Sequence, residues 1–93
     1  MLQIIETNPE QWVDHLKSRF NTQSETSNRG WTRIYLLDYQ NDILGSIDIN
    51  DRKTVASLNL KDGTYASLTF DYQLYLNDKT DMDSLVKSGI IPA

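Results

Sequence analysis

Ala56-Ser57-Leu58-Asn59-Leu60-Lys61-Asp62-Gly63-Thr64-Tyr65-Ala66-Ser67-Leu68 alternates apolar and polar residues on both sides of a Lys-Asp-Gly turn. Alternation with period two marks a half-buried strand, and Asp-Gly marks a tight hairpin. Together the two signals decide the length of the turn. A two-residue loop, Asp62-Gly63, would set Leu58 against Ser67 and mix core with surface on one face. A three-residue loop, Lys61–Gly63 with Gly63 in the left-handed conformation, pairs Leu60 with Thr64, Leu58 with Ala66 and Ala56 with Leu68. A slip of one residue turns every side chain to the other face, so the alternation selects the three-residue loop.

The same test extends upstream. A four-residue loop Asn50–Lys53 pairs Ile49 with Thr54, Ile47 with Ala56 and Gly45 with Leu58. A two-residue loop Asn41-Asp42 pairs Leu36 with Ile47 and Ile34 with Ile49. Three turns then agree on one inner face: Ile34, Leu36, Ile43, Ile47, Ile49, Ala56, Leu58, Leu60, Ala66, Leu68, Phe70, Tyr72, Leu74 and Leu76. Such agreement between turn chemistry and patterning is what specifies a fold. Downstream, residues 64–76 read as one long strand that bends.

On the N-terminal side, Leu2–Glu6 reads as a short strand. Asn8-Pro9-Glu10-Gln11 is a helix start, with Asn8 as cap, Pro9 at the first helical position and Gln11 placed to close a capping box. Trp12, Val13, Leu16 and Phe20 form an apolar stripe, so a helix is predicted from 9 to about 21. Residues 21–30 contain no apolar side chain and are predicted to be a solvated, mobile loop. At the other end, Thr80-x-x-Asp83 predicts a cap for a short helix over 81–88. Gly89 would end it, with Ile90 folding back on Leu85.

The predicted order is therefore β-α-β-β-β-β-α in one domain, residues 1–93. It is an α+β fold, a four- to five-stranded antiparallel sheet curled around the N-terminal helix with a short C-terminal helix. In outline this order resembles the cystatin and monellin arrangement. The glutamine-valine-glycine loop signature of cystatins is absent, with Leu44-Gly45-Ser46 and Lys61-Asp62-Gly63 in its place, so the resemblance implies a fold and no activity.

Composition narrows the function. Nine basic and thirteen acidic residues give a net charge of −4. Residues 1–37 hold four of each, and residues 38–93 hold nine acids and five bases. That balance argues against direct nucleic-acid binding, which needs clustered Lys and Arg. No apolar run approaches the roughly 18–20 residues that span a bilayer, and Met1–Glu6 shows no leader pattern. The chain has no cysteine. Thiolate metal sites, disulfides and cysteine nucleophiles are thereby excluded, and a reducing, cytoplasmic setting is expected.

Candidate chemistry is sparse. The one histidine, His15, has no carboxylate at helical spacing to act with. Asp78, Asp81 and Asp83 could serve a hard cation, but capping accounts for Asp81 and Asp83. Asp48, Asn50 and Asp51 suit a turn. Neither a glycine-rich phosphate loop nor a nucleophile elbow is present. The expectation is a non-enzyme without cofactor or metal.

The outer face is the informative surface. Its residues include Trp31, Arg33, Tyr35, Leu37, Tyr39, Leu44, Asp48, Tyr65, Asp71 and Tyr75, aromatic at the borders and hydroxyl-lined in the middle by Ser46, Ser57 and Ser67. Tyrosine and tryptophan with few lysines is the composition of a protein-binding surface. The sequence predicts a small protein-binding module of the inhibitor, immunity or phage and mobile-element anti-defence type. Its partner would be basic or aromatic-rich. The alternatives are a ligand pocket at the open end of the sheet near Asp38, and a homo-oligomeric structural subunit.

Overall fold

The computed structural model describes residues 1–26 and 29–92. Among them seven strands and two helices follow one another: β1 (Leu2–Ile4), α1 (Pro9–Arg19), β2 (Asn21–Thr26), β3 (Trp31–Leu37), β4 (Ile43–Asn50), β5 (Val55–Leu60), β6 (Tyr65–Thr69), β7 (Gln73–Leu76) and α2 (Met82–Lys87). All seven strands form one sheet in the order β1-β7-β6-β5-β4-β3-β2, and every neighbouring pair is antiparallel. From β2 onward the chain is an uninterrupted meander. The step from β1 at one edge to β2 at the other is carried by α1.

This corrects the predicted fold. The sheet has seven strands rather than four or five, and it is open, with α1 lying on one face instead of being wrapped. The cystatin-like outline fails with it. Two readings caused the error. The first is residues 21–30, predicted as a loop, in which Asn21–Thr26 is β2, paired with β3 over six residues. The prediction for Ser27 and Asn28 lies outside the described residues. The second is the single long strand over 64–76, which is two strands around a turn at Phe70-Asp71-Tyr72. There Tyr72 takes a left-handed φ of 68°, its N–H donates to Thr69 O at 3.2 Å, and the Thr69 hydroxyl reaches Asp71.

The register of the central hairpin is as predicted. Leu58 pairs with Ala66 and Ala56 with Leu68, Leu60 N–H donates to Thr64 O at 3.0 Å, and Gly63 has φ 96°. The other two pairings are displaced by two residues. Ile47 faces Leu58 instead of Ala56, and Ile34 faces Ile47 instead of Ile49. Two residues is one full period of a strand, so the faces survive the displacement. A bulge at Leu44 breaks the period locally, because Leu36 pairs with Gly45 while Leu37 pairs with Ile43. Leu37, predicted on the outer face, is buried in consequence, while Ile43, predicted inside, is exposed.

α1 begins as its sequence dictates. Asn8 Oδ1 accepts from Gln11 N–H at 2.8 Å, and Gln11 Oε1 accepts from Asn8 N–H at 3.1 Å. It ends where Phe20 turns extended (φ −126°, ψ 155°) and leads directly into β2. Trp12, Val13 and Leu16 pack on the inner face of the sheet with Ile34, Leu36, Ile47, Leu58, Leu68 and Leu74. α2 lies on that same face, through Leu85, Ile90 and Ile91. Its cap is Asp81, whose Oδ1 accepts from Ser84 N–H at 2.8 Å. Thr80, the predicted cap, is buried, and its hydroxyl accepts from Tyr65 N–H at 3.0 Å. The far end is the predicted Schellman turn: Gly89 has φ 79°, with Ile90 N–H on Leu85 O at 3.0 Å and Gly89 N–H on Val86 O at 3.1 Å. Two hydrogen bonds join the helical segments, Trp12 Nε1–H to Ile90 O at 3.0 Å and His15 Nε2–H to Gly89 O at 2.7 Å.

Candidate binding face

With both helices on one side, the opposite face of the sheet is bare among the described residues. Alternation places Glu25, Arg33, Asp48, Ser57, Ser67, Tyr75 and Leu2 in one cross-strand row, each opposite the next. The neighbouring row is Gln23, Tyr35, Ser46, Asn59 and Tyr65.

The face carries one ion pair and several side-chain hydrogen bonds. Arg33 Nε donates to Asp48 Oδ1 at 2.9 Å and Nη2 donates to Oδ2 at 3.3 Å, a two-pronged pair. Asp48, and after it Tyr35, hold the guanidinium above its ordinary pKa. The Tyr35 hydroxyl donates to Glu25 Oε2 at 3.0 Å. Ser57 and Ser67 share a hydrogen bond of 3.1 Å, and the Tyr75 hydroxyl donates to Gln73 Oε1 at 2.9 Å. These contacts orient the side chains before any ligand arrives, which lowers the ordering cost of binding. Over the β2–β3 end of this row lies a depression of about 520 Å³, lined by Glu25, Thr26, Arg29, Trp31, Arg33, Asp48 and Ser57.

The structure brings together six of the ten predicted residues on this face: Trp31, Arg33, Tyr35, Asp48, Tyr65 and Tyr75. The other four stand elsewhere. Leu37 is buried. Tyr39 is 88% exposed in the connection between β3 and β4, and Leu44 sits at the bulge. Asp71 belongs to the β6–β7 turn. Sequence reasoning missed Glu25, because β2 carries no apolar alternation to betray it. It also missed Leu2 and Ile4, which face the same way as Tyr75 and Gln73 opposite them. Leu2, Ile4, Tyr75 and the turn residues Phe70 and Tyr72 are all exposed, Ile4 to 69% and Phe70 to 65%. Leu2, Ile4 and Tyr75 make an apolar end to a face that is otherwise polar.

Asp38 is a turn residue. Its Oδ1 accepts from Gln40 N–H at 2.8 Å and from Asp42 N–H at 3.0 Å. A separate groove of about 610 Å³ opens between α2 and the ends of β4 and β5, floored by Phe20, Leu36, Leu60, Leu85 and Ile90, with Ile43 and Leu44 at its mouth. Among the described residues no group of three His, Asp or Glu side chains could hold a metal ion, and no helix is long and apolar enough to cross a membrane. No protein-family model, curated protein or solved structure matches the chain.

Proposed function

We propose that the protein is a non-enzymatic binding module that takes a partner protein on the bare face of its sheet. One observation carries the reading. Both helices cover the same side, so a broad face remains uncovered with Trp31, Tyr35, Tyr65 and Tyr75 around the Arg33–Asp48 pair. Rigid aromatics around a desolvatable arginine are the side chains that dominate binding energy at protein interfaces. Glu25, Asp48 and the net charge of −4 favour a basic or aromatic-rich partner, chiefly by speeding encounter. As such a module it would be of the inhibitor, immunity or phage and mobile-element anti-defence type, occluding its partner.

A Ser57→Arg variant tests this, because it places a long cation in the middle of the face without touching the core. Ser18→Arg, on the exposed side of α1, is the control. The expected result is that a protein captured by the wild-type chain is lost with Ser57→Arg and kept with Ser18→Arg, both variants melting like the wild type. Equal retention, or equal loss, refutes the assignment of the face. The groove behind Ile43 and Leu44 supports a second reading, a small apolar ligand held between α2 and the sheet. Quenching of an apolar fluorescent probe by Leu60→Trp, at the floor of the groove, separates it from the first.

A further inference from the structure

We infer that β1 is a self-pairing edge, through which two copies of the chain join antiparallel about Gln3 into one sheet of fourteen strands, seven from each copy. The hydrogen-bond ladder provides the geometry. Ile5 N–H donates to Tyr72 O at 3.0 Å, and Leu76 N–H donates to Met1 O at 2.8 Å. Residues 1, 3 and 5 therefore bond toward β7. By alternation the N–H and C=O of Leu2 and Ile4 point away from it, toward the open edge.

A second β1 laid antiparallel with Gln3 opposite Gln3 sets Leu2 of each copy against Ile4 of the other. Those are the two residues whose backbone groups face outward, so each pair exchanges two hydrogen bonds and Gln3 falls in a non-hydrogen-bonded position. The same register puts apolar side chains against apolar side chains on the bare face, and a two-fold axis through the sheet keeps that face continuous across the junction. β1 itself, Leu2-Gln3-Ile4, carries no charge. It lacks the lysine, proline or inward-pointing charge by which sheet edges are normally protected. β2, at the other edge, is wholly polar and carries Glu25.

Leu2 and Ile4, 49% and 69% exposed, are the side chains that meet across the junction, each against its apolar counterpart from the other copy, and such cross-strand pairs contribute about 0.2–1 kcal/mol each. The contact lies at the small, weak end of specific interfaces.

The absence of cysteine makes the test clean. In this register Gln3 meets its own copy at a Cα separation of about 4.5 Å, within the range of a disulfide. Oxidised Gln3→Cys should migrate as a dimer without reductant, while Ser24→Cys on β2 should remain monomeric. Sedimentation of the wild-type chain should show monomer passing to dimer below millimolar concentration, and Ile4→Lys, an exposed substitution, should weaken the association at least tenfold. A wild-type chain that stays monomeric at millimolar concentration overturns the inference. So does association indifferent to Ile4→Lys, or cross-linking by Ser24→Cys instead of Gln3→Cys. Ser57→Arg should leave sedimentation unchanged, so failure of this inference is distinguishable from failure of the partner-binding reading.

Discussion

Leu68 and Phe70 have the same parity, and a single strand over 64–76 would bury both. The turn at Phe70-Asp71-Tyr72 separates their fates. Leu68 is fully buried and Phe70 is 65% exposed. Leu68→Ala removes three carbons from the core, about 2.4 kcal/mol at ~0.8 kcal/mol per methylene. The cavity left behind raises the cost to about 3–4 kcal/mol. Phe70→Ala loses contact over roughly a third of a side chain whose full burial is worth ~3–5 kcal/mol, so about 1 kcal/mol. The difference of about 2–3 kcal/mol corresponds to a gap in Tm of roughly 10–20 °C for a chain of this size. Thermal and urea unfolding followed by circular dichroism measure it, with similar m-values showing that the unfolded states are comparable. Equal losses for the two variants would mean that Phe70 is a core residue and that no turn divides β6 from β7.

Gly45→Ala should cost about 3 kcal/mol, at the top of the range for overpacking. A Cβ there would meet Asn59 O and come within 2.6 Å of Leu60 Cα, both backbone atoms fixed by the β4–β5 ladder; a Tm within a few degrees of the wild type would contradict that geometry. Stability should also fall in acid. Hydrogen bonds from Thr64 to Asp62 and from Ser84 to Asp81 lower both carboxyl pKa values in the folded state. The folded chain then binds fewer protons than the unfolded chain, so this stabilisation is full above the ordinary carboxylate pKa of about 4 and is lost as pH falls below it. Asp62→Asn with Asp81→Asn should flatten the decline of Tm below pH ~4 and leave the region from pH 5 to 7 unaltered; an unchanged acid slope would rule the two groups out.

The features that were legible in advance are those settled by neighbours in the chain. The capping box of Asn8 and Gln11, the Schellman turn at Gly89 and the Lys61–Gly63 loop each close within a few residues. Their chemistry is written in consecutive letters. The cap of α2 shows the limit, since Asp81 and Thr80 are both competent caps by type. Thr80 was instead drawn inside by Tyr65, fifteen residues away. Of the binding face, Trp31, Arg33, Tyr35, Asp48, Tyr65 and Tyr75 could be named in advance because strand alternation sorts side chains without regard to exact partners. Leu37 could not, because the bulge at Leu44 reverses its side and nothing in Ile43-Leu44-Gly45 announces a bulge.

The amino-acid sequence by itself determined which side chains of β3 to β6 turn inward, except Leu37 and Ile43 beside the bulge. Parity has only two values, and both register errors were shifts of two. It did not determine how many strands the sheet has. β2 is polar on both faces because an edge strand over solvent needs no apolar side; its place is held by backbone bonds to β3. The division of β6 from β7 was hidden for a related reason. A three-residue loop preserves parity, so Leu74 and Leu76 point inward whether the chain turns or runs straight, and only Tyr72, a bulky residue accepting a left-handed φ, reveals the turn. Tertiary structure decided these points because the backbone hydrogen bonds that create an edge strand and return β7 to β1 are indifferent to side-chain identity. That pairing also carried Leu2 and Ile4 beside Tyr75, more than seventy residues along the chain.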